Sequence, residues 1–239
     1  MLDNERVFVL EKNLDFEKAC KYFLGDGVER DTKKAFELFE KCAKNGHLEA
    51  KVNLAGLYYS GEGVQKDYKK ALELLEECAE SGHADAQYNL GSMYFLGDGI
   101  EKDDKKAAHY ISMSAKQGHT EAQYNMGILY MEGFGVEKNI QKSIAWFMKA
   151  AENNHIPSID SLAKIYYAGI NLEKNFKKAA MWWQKGADLN DSECIFNLGV
   201  MYFQGQGVSK DPQKTAELWK KSADMGNAKA KRNLQLLGV

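Results

Sequence analysis

Residues Ala84 to His119 read ADAQYNLGSMYFLGDGIEKDDKKAAHYISMSAKQGH, and the skeleton of this stretch recurs along the chain. Its first loop glycine, Gly97, has counterparts at a constant spacing of 36 residues, at Gly25, Gly61, Gly133, Gly169 and Gly205. A fixed period of this length is typical of a repeat array, in which each repeat packs on its neighbours. The sequence therefore predicts a solenoid.

The period also sets the predicted organisation of the chain. We expect one repeat domain over residues 12–239, with residues 1–11 ahead of it as a tail or an N-terminal cap. Residues 228–239 repeat the opening of a further repeat, so we expect a capping helix there, because an array needs a terminal element with a polar outer face. The six repeats are predicted at residues 12–47, 48–83, 84–119, 120–155, 156–191 and 192–227.

Each repeat contains two helical patterns joined by a glycine turn. In the third repeat, Ala86, Leu90 and Met93 follow the i, i+4, i+7 spacing of a core stripe. Gly97 ends the first helix because glycine accepts a left-handed conformation, and Asn171 replaces the second loop glycine of the fifth repeat. The predicted N-caps of the second helices are Asp31, Asp67, Asp103, Asn139, Asn175 and Asp211. The predicted fold is an all-α, right-handed α/α superhelical solenoid.

These residues resemble the Sel-one-like repeat family, a relative of the tetratricopeptide repeat. The resemblance is carried by Ala-x-x-x-Leu-Gly-x-x-Tyr, Gly-x-Gly-Val, Asp-x-x-Lys-Ala and Ala-x-x-Gly-His, and it covers residues 12–239. It implies an α/α superhelix that serves as an adaptor or scaffold for other proteins.

One bacterial branch of this family pairs cysteines as Cys-x7-Cys within each repeat and is linked to penicillin binding and weak β-lactam hydrolysis. Cys42 and Cys78 occupy that branch's first cysteine position, but Ala50 and Ala86 stand where their partners would be. Cys194 occupies the second position and also lacks a partner. The resemblance therefore implies unpaired core cysteines in a reducing compartment. Binding or hydrolysis of β-lactam or peptidoglycan fragments is the alternative function.

The composition argues against several classes of function. The 32 Lys and Arg residues nearly balance the 34 Asp and Glu residues, so the basic surface of a nucleic-acid-binding protein is not expected. No apolar run approaches the length of a membrane span, and the N-terminal residues lack the pattern of a signal peptide. We therefore expect a cytoplasmic protein without a nucleic-acid partner; export with removal of a leader is the alternative.

Two features suggest chemistry at first sight. Four repeats end in a histidine, at His47, His83, His119 and His155. Packed helices lie about 8–10 Å apart, so histidines one repeat apart cannot share a metal ion whose bonds are about 2 Å long. Ser161 and Lys164 match the Ser-x-x-Lys motif of penicillin-recognising enzymes, but the companion Ser-Asp-Asn and Lys-Thr-Gly motifs are missing. We expect no metal site, no cofactor and no catalytic residue.

The first helices carry a second apolar series, which we call the first-helix stripe, at i, i+4 and i+7. It reads Phe16, Cys20, Phe23; Val52, Gly56, Tyr59; Tyr88, Ser92, Phe95; Tyr124, Ile128, Met131; Asp160, Lys164, Tyr167; and Phe196, Val200, Phe203. Beside it stand Asn53, Asn89, Asn125 and Asn197. By resemblance to tetratricopeptide repeats, these positions line a concave surface.

Two explanations of the stripe are open. Neighbouring first helices can use it to pack closely, or it can form a groove that binds a peptide or a protein, since aromatic anchors dominate binding energy. In the groove interpretation the asparagines hydrogen-bond an extended backbone, and Asp160 and Lys164 form a polar specificity point. The predicted partner-binding residues are Val52, Asn53, Tyr59, Tyr88, Asn89, Ser92, Phe95, Tyr124, Asn125, Ile128, Met131, Asp160, Lys164, Tyr167, Phe196, Asn197 and Phe203. We expect a monomeric adaptor, with self-assembly as a further alternative.

Overall fold

The structure is a computed structural model that describes residues 14–238, and every regular element in that range is an α-helix. The predicted tail or cap at residues 1–11 lies outside the described residues. Helix α1 runs through residues 14–24. The others are α2 (Thr32–Lys44), α3 (Leu48–Ser60), α4 (Tyr68–Glu80), α5 (Ala84–Leu96), α6 (Asp104–Lys116), α7 (Thr120–Glu132), α8 (Ile140–Glu152), α9 (Ile156–Ala168), α10 (Phe176–Asp188), α11 (Ser192–Gln204), α12 (Pro212–Asp224) and α13 (Ala228–Leu237).

The chain forms two compact lobes, and we call them the N-terminal lobe, up to Ala122, and the C-terminal lobe, from Gln123 onward. In both lobes the helices alternate between odd-numbered first helices and even-numbered second helices. Consecutive helices pack on each other from α2 to α6 and from α8 to α13. Phe39 and Leu90 are fully buried in the N-terminal lobe, and Phe147 and Leu162 are fully buried in the C-terminal lobe. The prediction of an all-α repeat solenoid is confirmed.

A polar residue links the two helices of each repeat. Asp67 begins α4 by accepting a hydrogen bond from the Lys70 backbone N–H at 3.1 Å, and its own N–H donates to the Tyr58 carbonyl at the end of α3, at 2.8 Å. The same side-chain cap is made by Asp31, Asp103, Asn139, Asn175 and Asp211, as predicted. Each cap satisfies a backbone donor that the helix itself leaves unpaired.

A lysine from the first turn of the second helix lies over a tyrosine from the last turn of the first helix. In the second repeat the Lys70 ammonium is 5.0 Å from the centre of the Tyr58 ring. The other pairs are Lys34 with Tyr22, Lys106 with Tyr94, Lys142 with Tyr130, and Lys178 with Tyr166. Contacts of this kind help to hold the two helices of a hairpin together.

The turn between the helices depends on left-handed backbone conformations. Gly97 ends α5 with φ 77°, and Asn171 adopts φ 51° at the position where the other turns have glycine, as predicted. A Cβ atom on Gly99 would lie 2.2 Å from the Cβ of Tyr68. At Gly99, glycine is therefore required both by its left-handed conformation and by its contact with the preceding repeat.

Candidate functional site

The first-helix stripe of the N-terminal lobe is partly packed and partly open. Val52 is buried, with 9% of its surface exposed, because it lies within the core cluster of this lobe. Asn53 is exposed. The half-buried predicted residues are Tyr59, Tyr88, Asn89, Ser92 and Phe95. These side chains therefore pack on one side and reach solvent on the other, and this partial burial leaves both explanations of the stripe open.

The stripe of the C-terminal lobe has the same mixed character. Phe196 is buried and stacks against Trp219, whereas Lys164 and Phe203 are exposed. The half-buried predicted residues are Tyr124, Asn125, Ile128, Met131, Asp160, Tyr167 and Asn197. Val52 and Phe196 are thus core residues of their lobes, and the remaining predicted residues have surface that solvent can reach.

The turn histidines hold the first ring of the stripe in place. His119 Nδ1 accepts a hydrogen bond from the Ala122 backbone N–H at 3.1 Å, and its ring stacks on Tyr88 with the centroids 4.7 Å apart. His47 stacks on Phe16 in the same way, at 4.4 Å. These histidines therefore cap the next first helix and support the stripe. Residues 14–238 contain no group of three or more His, Cys, Asp or Glu side chains arranged to hold a metal ion.

An open pocket of about 280 Å³ lies between the first helices α3 and α5. Its floor is apolar and buried and consists of Ala55, Leu75 and Met93. Its other lining residues are Gly56, Tyr59, Tyr88, Asn89 and Ser92, and four of these five are predicted partner-binding residues. The structure therefore brings the predicted residues of two neighbouring repeats together around one pocket, which we call the α3–α5 pocket.

The pocket lies where two successive first helices carry small residues at the middle stripe position. Gly56 and Ser92 stand where the three repeats of the C-terminal lobe have Ile128, Lys164 and Val200. A Cβ atom on Gly56 would meet nothing within 4 Å, so packing does not require glycine at this point of α3. By contrast, a Cβ atom on Gly91 would lie 2.7 Å from Cγ1 of Ile111.

A second pocket, of about 250 Å³, occupies the corresponding place four repeats further along the chain, between α11 and α13. It is lined by Val200, Phe203, Gln204, Trp219, Asn233 and Leu236. Asn233 continues the asparagine series of the first helices, and sequence reasoning missed it. Counting the 36-residue spacing onward from Asn197 would have found it. Pockets between neighbouring first helices therefore recur in this fold.

Tyr59 connects the α3–α5 pocket to a carboxylate. Its hydroxyl donates a hydrogen bond to Oδ2 of Asp98, in the turn that follows α5. This hydrogen bond, together with partial burial, raises the pKa of Tyr59 to about 12. The phenol therefore stays protonated at neutral pH, and the Asp98 carboxylate lies beside the rim of the pocket.

Ser161 and Lys164 do not form the arrangement of a nucleophile and its base. The Ser161 hydroxyl donates to the Pro157 carbonyl at 2.7 Å, and the Lys164 ammonium pairs with Asp160. The hydrogen bond to Asp160 raises the pKa of Lys164, so the amine is held in its protonated form. A general base needs the opposite shift. Asp160 also accepts a hydrogen bond from the Trp183 indole at 3.0 Å, so the predicted polar specificity point is anchored to α10.

The repeat sequence matches a known family over most of the chain. The Sel1 repeat matches residues 18–47, 48–83, 84–119, 120–155, 159–191 and 192–227. The chain belongs to the Sel1 repeat family. Sel1 repeat proteins generally mediate protein–protein interactions, and the repeat is a scaffold that is generally not catalytic. Among curated proteins, none matches this chain.

Solved Sel1 repeat structures share the fold over nearly the whole chain. The protein c5321, a protective antigen present in uropathogenic Escherichia coli strains, is 32% identical with a TM-score of 0.87, and the match covers 97% of this chain and 50% of that one. A Sel1 repeat protein from Oxalobacter formigenes is 29% identical with a TM-score of 0.81, covering 95% of this chain and 65% of that one. This chain therefore spans half the length of the first protein and 65% of the second.

A more distant Sel1-like fold belongs to the immunity protein PA5088 from Pseudomonas aeruginosa, which is 20% identical with a TM-score of 0.58 over 89% of this chain and 80% of that one. At this identity the likeness concerns the fold alone. None of the helices in residues 14–238 of the present Sel1 repeat protein combines the length and the apolar character needed to span a lipid bilayer.

Proposed function

We propose that this protein is an adaptor that binds a peptide or protein partner on its first-helix face, through the stripe and its asparagines. The observation that supports the proposal most is the α3–α5 pocket, because four predicted residues from neighbouring repeats line it around a buried apolar floor. Such a pocket lets a partner bury an apolar side chain at a place where the scaffold is already folded.

The chemistry of the pocket rim suits a protein partner. Two tyrosines, Tyr59 and Tyr88, flank the opening, and tyrosine is among the residues that contribute most to binding energy at interfaces. Asn89 lines the pocket, and its side-chain amide makes no hydrogen bond with another residue in the range 14–238, so this amide can pair with the backbone of an extended segment. The function is therefore binding, without formation or cleavage of covalent bonds.

Photo-crosslinking from defined positions tests the proposal. A benzophenone amino acid replaces Asn53, which is exposed on the first helix α3, and in a matched variant it replaces Lys105, which is exposed on the second helix α6. Both proteins are irradiated in extract of the source cells, and the crosslinked products are compared on gels. We expect a discrete crosslinked protein from position 53 and none from position 105.

Competition connects such a product to the stripe. The crosslink from position 53 should weaken when Tyr59 and Tyr88 are replaced by alanine, provided that the circular dichroism spectrum and the melting temperature of the variant show that it is folded. Equal crosslinking from positions 53 and 105, or a product that is indifferent to both tyrosines, would contradict binding on the first-helix face.

A further inference from the structure

We propose that the α3–α5 pocket is a specificity site for an extended peptide segment that carries an apolar side chain and, two residues away, a lysine or an arginine. This inference rests on the proposed function and adds the chemical class of the partner. It depends on three observations: the size and floor of the pocket, the open amide at its rim, and the carboxylate beside it.

The pocket is large enough to hold one apolar side chain. Its volume of about 280 Å³ lies below the range of roughly 300–1,000 Å³ that is typical of sites for cofactors and drug-sized ligands. The floor residues Ala55, Leu75 and Met93 are at most 3% exposed, and their side chains are apolar. A leucine, isoleucine, methionine or phenylalanine side chain fits such a floor, and burying it is favourable.

Gly56 keeps this space open. A glycine inside a helix is less favourable than alanine, and nothing around Gly56 would collide with an added Cβ atom. Four other repeats have cysteine, isoleucine, lysine or valine at this position, so the helix accepts a side chain there. The small residues at positions 56 and 92 thus leave room for an occupant that comes from outside the chain.

The rim supplies a partner for the peptide backbone. Asn89 offers both a donor and an acceptor, and it lines the pocket beside Tyr88. An extended segment has unpaired N–H and C=O groups that such an amide can satisfy. Successive side chains of an extended segment point to opposite faces, so residues two apart lie on the same face, about 7 Å from each other.

The charge of the occupant follows from Asp98. Its carboxylate accepts a hydrogen bond from Tyr59, and no Lys, Arg or His side chain in residues 14–238 comes within 4 Å of it. The two lysines of this region are engaged elsewhere: Lys102 pairs with Asp104, and Lys66 lies over the Tyr68 ring. A cation on the same face of the peptide as the apolar side chain would therefore meet a carboxylate that forms no ion pair within residues 14–238, whereas an anion would be repelled.

Selection from a random-peptide phage library on the wild-type protein tests the inference. We expect the selected peptides to share an apolar residue and a lysine or arginine two positions away from it. One selected peptide is then synthesised with a fluorescent label, and its affinity is measured by fluorescence anisotropy for the wild-type protein and four variants.

The variants form two matched pairs. Gly56→Ile, which places the side chain of Ile128 at the corresponding position, should weaken binding about tenfold or more because it occupies the pocket. Gly56→Ala adds one methyl group to the same helix and should weaken binding by no more than about threefold. Asp98→Asn should weaken binding about two- to fivefold, and the same change at the corresponding exposed residue, Asp26→Asn, should have no effect.

A peptide in which glutamine replaces the basic residue completes the test. The affinity of this peptide should be the same for Asp98→Asn as for the wild type, whereas Gly56→Ile should still weaken its binding. If the selected peptides bind wild type and Gly56→Ile equally, the inference is overturned and the proposed function stands, because the peptides then use another part of the first-helix face. If no peptide is selected and position 53 gives no crosslink, both are overturned.

Discussion

At the scale of single residues, Gly56 and Gly91 show two different reasons for a glycine inside a helix. Gly91 is buried where α5 crosses α6, and an added Cβ atom would lie 2.7 Å from Cγ1 of Ile111 and 3.1 Å from the Ala107 carbonyl oxygen. Gly56 is exposed at the pocket and has open space in front of it. The first glycine serves close packing of two helices, and the second leaves a surface unfilled.

The same substitution at these two positions should therefore act in opposite directions. Gly91→Ala should lower the free energy of unfolding by about 1–3 kcal/mol, because the methyl group forces α5 and α6 apart. Gly56→Ala should raise it by about 0.5–1 kcal/mol, because alanine loses less backbone entropy in a helix. Urea denaturation followed by circular dichroism measures both values. A loss of stability in Gly56→Ala would show that this position is packed more tightly than the structure indicates.

Tyr59 gives the stability of the N-terminal lobe a dependence on alkaline pH. Its pKa is raised to about 12 by the hydrogen bond to Asp98, whereas a tyrosine in the unfolded chain titrates near about 10. The bond therefore contributes fully below about pH 10, and its contribution is lost between about pH 10 and pH 12, where only the unfolded chain ionises. Over this interval, the free energy of unfolding of the wild type should fall relative to that of Tyr59→Phe. A difference that stays constant from pH 8 to about pH 12 would mean that the phenol does not donate to Asp98 in solution.

At the scale of elements, His47, His119 and His155 act as N-caps of the first helices that follow them, whereas His83 makes no side-chain cap hydrogen bond to α5. His155 Nδ1 accepts a hydrogen bond from the Ser158 backbone N–H at 3.3 Å at the start of α9. The centroids of the His155 and Tyr124 rings are 5.0 Å apart. The corresponding residue before α13 is Asn227, whose side chain accepts from two backbone N–H groups. Asparagine can thus replace the capping function of histidine but not its ring contact.

Two substitutions of His155 separate these contributions. His155→Ala should lower the free energy of unfolding by about 1 kcal/mol or slightly more, because it removes both the cap and the ring. His155→Asn should recover most of this loss because it restores the cap. Chemical denaturation of the wild type and both variants provides the comparison. Equal losses in the two variants would assign the stabilisation to the contact with Tyr124.

The helices and their caps could be predicted from the sequence, because glycine, aspartate, asparagine and histidine recur at the helix boundaries at a constant spacing. The exposure of each residue in the first-helix stripe could not be predicted. Val52 and Tyr88 occupy the same stripe position, yet Val52 is in the core and Tyr88 reaches solvent. Periodicity identifies the face of a helix, whereas exposure depends on the sizes of the side chains on neighbouring helices. The α3–α5 pocket forms because Gly56 and Ser92 lie next to each other on neighbouring helices, and this proximity is a property of the three-dimensional structure.

The contact between lysine and tyrosine, which five hairpins share, was also beyond sequence reasoning. Lys70 and Tyr58 are separated by a turn whose conformation determines whether the ammonium group reaches the ring. Both residue types recur with the repeat period, but recurrence does not distinguish a lysine that contacts a ring from one that extends into solvent. The geometry of the turn, with its capping aspartate bonded back to the tyrosine carbonyl, explains the contact.

At the scale of the whole molecule, the reactivity of the four cysteines indicates whether each lobe stays folded. None of them is in a disulfide; Cys42 and Cys78 are buried in the N-terminal lobe, Cys194 is buried in the C-terminal lobe, and Cys20 is half-buried. Burial raises the pKa of all four thiols. The thiolate, which is the reactive form, is therefore scarce in the folded protein.

Dithionitrobenzoate at pH 8 should consequently react with the three buried thiols at least about tenfold more slowly than with the chain unfolded in urea. Cys20 should react first, and Cys20→Ser should remove the fastest phase. The release of thionitrobenzoate, followed by absorbance, gives the rates. Fast reaction of Cys78 or Cys194 without denaturant would show that the corresponding lobe opens readily.

The correspondence between the α3–α5 pocket and the pocket between α11 and α13 has a practical consequence. The two cavities arise from the same backbone geometry but differ in their walls: Gly56, Leu75 and Ser92 in one are replaced by Val200, Trp219 and Leu236 in the other. Ligand preference can thus diverge by point substitution while the scaffold remains constant. Exchanging these three side chains between the sites offers a route to reprogramming what the array recognises, much as complementarity loops are exchanged on an antibody framework.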